Sequence, residues 1–399
     1  MILNGTTLGV FLNVNRLTPE KSSEGRQEIG KPHSFLRRAQ AGLWVLAGIF
    51  ALAGCGGGHK SSSDDSSGRE VVVISRASQD PAATQAELDA LTPEAMRSAT
   101  AMDADPEGVT AALGRLSPSQ RTKATVIEMT PGGAQPATST APVAKTRDPG
   151  SSGSFDQPTD GLPSVGALFF NLGGYGGIKL ERCTGTVLNT SSGQVVATAA
   201  HCLAFPGGPT SITTPNPIFV PGYHDGEAPY GKWAIDQGYV IKGWLGKDWA
   251  AYDYGFYVIK RSSDGRAVRD VVGGNNFKPD VGYNNDVEIT AYPGNRDKPL
   301  QCFTSTQKFG DWVSQLVFNC DSFADGVSGA LLMLDFDGKA GTAIATLGGY
   351  ERGGTSDNTS YAVRWGQNTV GVIQTADAYA GSSYALSGGP ESPQPASSR

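Results

Sequence analysis

The chain changes its hydrophobic rhythm twice. Between residues 69 and 130 a short apolar run, "REVVVIS", is followed by segments with helix-start chemistry. Thr92-Pro93, Asp105-Pro106 and Ser117-Pro118 each place a capping side chain before Pro, which fits the first turn of a helix. Residues 131–163 are rich in Pro, Gly, Ser and Thr and read as a linker. From 164 to 375 the pattern is short apolar or alternating runs broken by Gly, Asn and Asp: "SVGALFF", "GTVLN", "QVVATAA", "YGFYVIK", "DVEITAY", "GALLML", "TAIATLGG". That is the signature of an all-β sandwich or barrel. Residues 376–399 are small and polar and are expected to be a disordered tail.

Composition narrows the class. The chain has 399 residues, 39% hydrophobic, with 53 glycines, which suits a turn-rich β protein. Net charge is −6 and no basic block stands out, so nucleic acid is not an expected partner. No apolar stretch is long enough for an ordinary membrane-spanning helix. Residues 1–54 read as a leader, with Arg37-Arg38 before the apolar run "AGLWVLAGIFALAGC". Its end, Leu52-Ala53-Gly54-Cys55, resembles the bacterial lipobox. That resemblance implies export, lipidation of Cys55 and a membrane anchor, with 55–68 as a polar tether. Removing Cys55 from the five cysteines leaves Cys183, Cys202, Cys302 and Cys320, an even number suited to an oxidising compartment. No cluster has zinc-ligand spacing, so no metal is expected.

The candidate chemistry centres on "VVATAAHC". A buried-looking strand ends in alanines and then presents His201, one of four histidines. A strand end offers a reactive side chain a rigid base and an open side. "CTGTVLN…VVATAAHC" resembles the corresponding segments of trypsin-like serine peptidases. The resemblance implies two six-stranded antiparallel β-barrels and the chain order His, Asp, Ser. Asp253 in "WAAYDYGFYVIK" and Ser328 in "CDSFADGVSGALLML" meet that order, each just before a strand; Asp248 competes less well. It further implies an oxyanion hole from the N–H groups of Gly326 and Ser328. Disulfides Cys183–Cys202 and Cys302–Cys320 follow from the same likeness.

"SVGALFFNLGG" and "CDSFADGVSG" look nearest the bacterial glutamyl-endopeptidase-like branch. No His follows His224, so strict Glu specificity is not expected. Val327 stands where animal trypsins carry the Asp of their zymogen switch. Thr346, Leu347 and Gly348 are expected to bind the substrate main chain as an added strand. Ser322 is expected at the pocket floor, with Asp321 taking its place if the register slips by one.

The reading is thus an all-β endopeptidase domain over 164–375 with a small, mostly helical N-terminal region. It needs no cofactor, acts on a polypeptide and is expected to be monomeric. Region 69–130 is either a removable pro-region or a retained spacer. The alternative is a catalytically inactive lipoprotein of the same fold acting as a binding module. An α/β-hydrolase is excluded, because its order is Ser, acid, His and a helix follows its Ser.

Overall fold

The computed structural model describes residues 70–76, 79–102, 122–129, 157–172, 180–205, 212–213, 217–246, 249–323, 325–354, 356 and 358–386. The leader, the tether, Cys55, Asp248, the helix starts at Asp105 and Ser117, and most of the linker lie outside these residues.

The N-terminal region contributes β1 (Glu70–Ser75), α1 (Pro81–Ala90), α2 (Pro93–Arg97), β2 (Thr100–Ala101) and β3 (Lys123–Glu128). The α2 start is as the sequence suggests: Pro93 opens the helix and the Thr92 hydroxyl accepts the Ala95 N–H at 3.2 Å. Among its described residues, helix and strand are about equally represented. Its β-branched run Val71–Ile74 is buried as a strand, because it finds an open sheet edge to pair with.

After β4 (Gln157–Pro158), the first barrel uses β5 (Val165–Asn171), β6 (Leu180–Val187) and β7 (Val195–Thr198). A small ribbon of β8 (Ala204–Phe205) and β9 (Ile212–Thr213) precedes β10 (Ile218–Pro221), β11 (Trp233–Ile241) and β12 (Gly255–Ile259). The order β10-β5-β6-β7-β12-β11 closes on itself through β10–β11 pairing, giving a six-stranded antiparallel barrel. β1 adds to the outer side of β11 and β3 to β1, while β2 pairs parallel with β6.

The second sheet is built from α3 (Val268–Val272) onward: β13 (Asn276–Phe277), β14 (Asp286–Ala291), β15 (Leu300–Ser305), β16 (Gln307–Lys308), β17 (Gln315–Asn319), β18 (Leu331–Leu334), β19 (Thr342–Leu347) and β20 (Thr359–Arg364). Its order is β16-β17-β20-β19-β18-β14-β15-β4. This corrects the expected second closed barrel. Among the described residues no β15–β17 ladder closes it, so it is a half-barrel, and the Cys302–Cys320 disulfide bridges the gap from β15 to the end of β17.

Over residues 376–386 the expected disordered tail is corrected, while 387–399 lie outside the described residues. Helix α4 spans Gln367–Leu386, and Val372, Ile373, Ala376 and Ala380 are buried. It packs back on β11 and β12 of the first barrel. Small side chains that read as tail composition are what allow this close approach.

Candidate active site

Strand pairing brings His201 and Asp253 together. β7 and β12 are antiparallel, with Thr198 opposite Gly255. His201 lies three residues beyond one end of that pair and Asp253 two before the other, so both sit at one rim of the barrel. A 3₁₀ turn over Ala200–Cys202 holds the His, and the Cys183–Cys202 disulfide ties that turn to β6. The Tyr257 hydroxyl adds a bond to the Cys202 carbonyl at 3.2 Å.

Asp253 is fully buried and surrounded by donors. The His201 N–H donates to Oδ1 at 2.9 Å, the Gly349 N–H to Oδ2 at 2.8 Å, and the His201 Nδ1 lies 2.8 Å from Oδ2. A carboxylate whose two oxygens already accept backbone N–H groups is set to accept from Nδ1 as well. The tautomer inferred from this network leaves the lone pair on Nε2. Nε2 is buried and makes no hydrogen bond among the described residues. Cys183, His201 and Cys202 lie close enough to suggest a metal-ligand group, but both sulfurs are spent in the disulfide.

The loop before β18 is pinned on several sides. The Asp325 carbonyl accepts the Gly294 N–H at 2.6 Å, the Gly326 carbonyl accepts the Thr184 hydroxyl at 3.4 Å, and the Ser328 carbonyl accepts the Thr184 N–H at 2.8 Å. Gly329 is required by space. It holds φ at +89°, and a Cβ there would lie 2.1 Å from Thr198 Oγ1. Thr184 follows Cys183, and Thr198 lies three residues before His201, so the serine loop is keyed into the strands that carry the His. Ser328 itself is fully buried, and its Oγ donates to the Arg352 carbonyl at 3.3 Å.

Two expected substrate-binding residues fall elsewhere. Thr346 is buried, pairs with Leu331 on one side and Val363 on the other, and its hydroxyl accepts from Trp365 Nε1 at 2.8 Å. The Leu347 N–H and carbonyl are both taken, by the Ala330 carbonyl and the Gly329 N–H. A strand paired on both sides has no main chain left for a peptide, so Thr346 and Leu347 are core of the sheet. At Gly348 the pairing with β18 has ended, while its N–H still donates to the Tyr361 carbonyl at 3.1 Å. Ser322 is half-buried at φ +59°, while Asp321 and Asp325 are exposed. His224 sits away from this site, near Asp225 in a charged loop.

Sequence reasoning missed Thr184, Gln315 and Arg352. Buried Gln315 donates to the Ala250 carbonyl at 2.7 Å and accepts the Tyr350 N–H at 3.2 Å, linking the segment after β19 to the turn before Asp253. Nothing local marks such long-range buttresses. The doubled glycines of "GGYERGG" were the one available hint.

A closed antiparallel barrel, a second antiparallel half-barrel, and a His–Asp pair at the rim of the first define the architecture. The fold is chymotrypsin-like. No family model matches the chain, and no curated protein does. Among solved structures it is similar to the protease Anisep from Arthrobacter nicotinovorans, with 25% identity and a TM-score of 0.49 over 56% of this chain and 100% of that one. It is also similar to the thermostable serine protease AL20 from an extremophilic microorganism (22% identity, TM-score 0.47, 55% and 98% covered). A third is a Glu endopeptidase in complex with MPD (16% identity, TM-score 0.44, 57% and 98% covered).

Proposed function

We propose that the chain is a serine endopeptidase that cleaves peptide bonds through an acyl-enzyme. The observation that carries this reading is the buried His201–Asp253 pair, with Nδ1 held at 2.8 Å from the carboxylate and Nε2 without a partner among the described residues. Ser328 Oγ attacks the scissile carbonyl carbon and its proton passes to His201 Nε2. The N–H groups of Gly326 and Ser328 take the oxyanion, on a loop whose carbonyls are already tied back. His201 then protonates the leaving amine, and water releases the acyl group by the same route. Gly348 aligns the substrate main chain, and Ser322 belongs to the wall of the side-chain pocket. The two disulfides fit an oxidising compartment, in line with export and a lipid anchor at Cys55. Among the described residues no helix is long and apolar enough to cross a membrane.

The complete burial of Ser328 favours a second reading, a non-catalytic binding module on the same fold. Labelling by a fluorophosphonate probe separates the two. The mature chain from Cys55 is expected to label and its Ser328→Ala variant is not. A folded protein that never labels would put the binding module first.

A further inference from the structure

The segment Gly349–Gly354 lies against the nucleophile in an unusual conformation. Five of its six residues hold positive φ: Gly349 at 86°, Glu351 at 48°, Arg352 at 55°, Gly353 at 116° and Gly354 at 127°. Glu351 and Arg352 have no glycine freedom, so their left-handed backbone is strained. Such strain persists only where surroundings hold it. One holder is Tyr350, whose ring packs on Phe309 (centroids 4.8 Å apart), Tyr361 (4.9 Å) and Trp312 (5.9 Å) and whose N–H is held by Gln315. Trp312 is 45% exposed, so this aromatic box opens to solvent beside the site. The Arg352 N–H donates back to the Gly349 carbonyl at 2.9 Å, which tightens the turn. The result is the contact already described: the Arg352 carbonyl accepts a hydrogen bond from the Ser328 hydroxyl, with the oxygens 3.3 Å apart.

We propose that Tyr350–Gly353 is an autoinhibitory latch, locked by the Tyr350 ring in the Phe309–Trp312–Tyr361 box, that must lift before Ser328 can act. The proposal rests on the reading of Ser328 as nucleophile. A hydroxyl donated to Arg352 is not donated to His201 Nε2, and a serine without exposure meets no substrate. Glycines at both ends, Gly349 and then Gly353-Gly354, provide the hinges. A polypeptide seated along the edge from Gly348 displaces the latch, and release of the strained backbone favours the opening.

The test is the rate of fluorophosphonate labelling of the mature chain, since a small probe reports access to Ser328 without needing extended subsites. Tyr350→Ala removes the lock and is expected to label about tenfold faster than wild type, given three lost ring contacts. Tyr350→Phe keeps the ring and is expected to label at the wild-type rate. Gly354→Ala attacks the closed state independently. Its φ is +127°, and a Cβ would lie 2.6 Å from the Thr359 carbonyl oxygen, so it too is expected to label faster. Circular dichroism confirms that each variant is folded. If folded Tyr350→Ala and Gly354→Ala label no faster than wild type, the latch is wrong while the nucleophile stands. If no form labels above the Ser328→Ala background, the nucleophile reading fails and the latch falls with it.

Discussion

Asp253 does two jobs through separate atoms. Oδ1 fixes the His201 backbone and Oδ2 faces its ring, so backbone position and ring orientation depend on one buried carboxylate. Asp253→Asn keeps the shape but offers an N–H where an acceptor is needed, so the imidazole turns to the wrong tautomer. Turnover of a peptide substrate is expected to fall about ten-thousand-fold, with far-ultraviolet dichroism unchanged. A second buried carboxylate affects stability instead. Burial between the strands of the half-barrel pushes the Glu288 carboxyl up to about 7, against two bonds that lower it, from Thr290 and Gln301. The folded form therefore holds a proton that the unfolded chain releases near its ordinary, lower value. This stabilisation is complete below that ordinary value and is lost as pH rises through about 7. Unfolding free energy is expected to drop by on the order of 3 kcal/mol across that window, and Glu288→Gln is expected to flatten the decline. Urea titrations of both proteins at pH 4.5, 6 and 8 check it.

Elements with a local signature were legible. β7 and the turn into His201, the strand after Asp253, and the Gly-rich approach to Ser328 each carry their pattern in a few residues. Where strand pairing stops was not legible, because it is set by β18 and β20 flanking β19 on both sides, which no local pattern in β19 records. Thr346 and Leu347 were misplaced for that reason. Helix α4 was missed because Ala376 and Ala380 look like tail composition, although both are buried. The helix is also fastened by a polar contact: Asp377 accepts the N–H groups of Ser191 and Ser192, at 3.1 and 2.9 Å, in the turn between β6 and β7. Asp377→Ala leaves both donors without their acceptor and is expected to cost about 2 kcal/mol. Chemical denaturation measures the loss, and the labelling rate of Ser328 is expected to stay at the wild-type value, since the contact lies on the first barrel away from the serine loop.

At the scale of the molecule, the N-terminal region is part of the barrel's sheet and not an annex to it. Val71 to Ile74 are buried against β11, and burying each contributes roughly 1.5–3 kcal/mol. Polar ties add to this. Arg76 donates to the Ile235 carbonyl at 2.9 Å, Lys232 to the Leu88 carbonyl at 2.6 Å, and Lys242 pairs with Glu70 at 2.6 Å. Losing β1 would leave the edge of β11 bare, a template for pairing with other chains. These ties favour a retained element over a removable pro-segment. A protease site inserted between residues 131 and 156 tests the choice. After cutting, the two pieces are expected to elute together in gel filtration and to part only in denaturant. The later piece refolded alone is expected to aggregate. Clean dissociation on cutting, with the barrel still folded and Ser328 labelling faster, would instead make residues 70–129 a pro-segment, and the latch over Ser328 would no longer be the only restraint on the site.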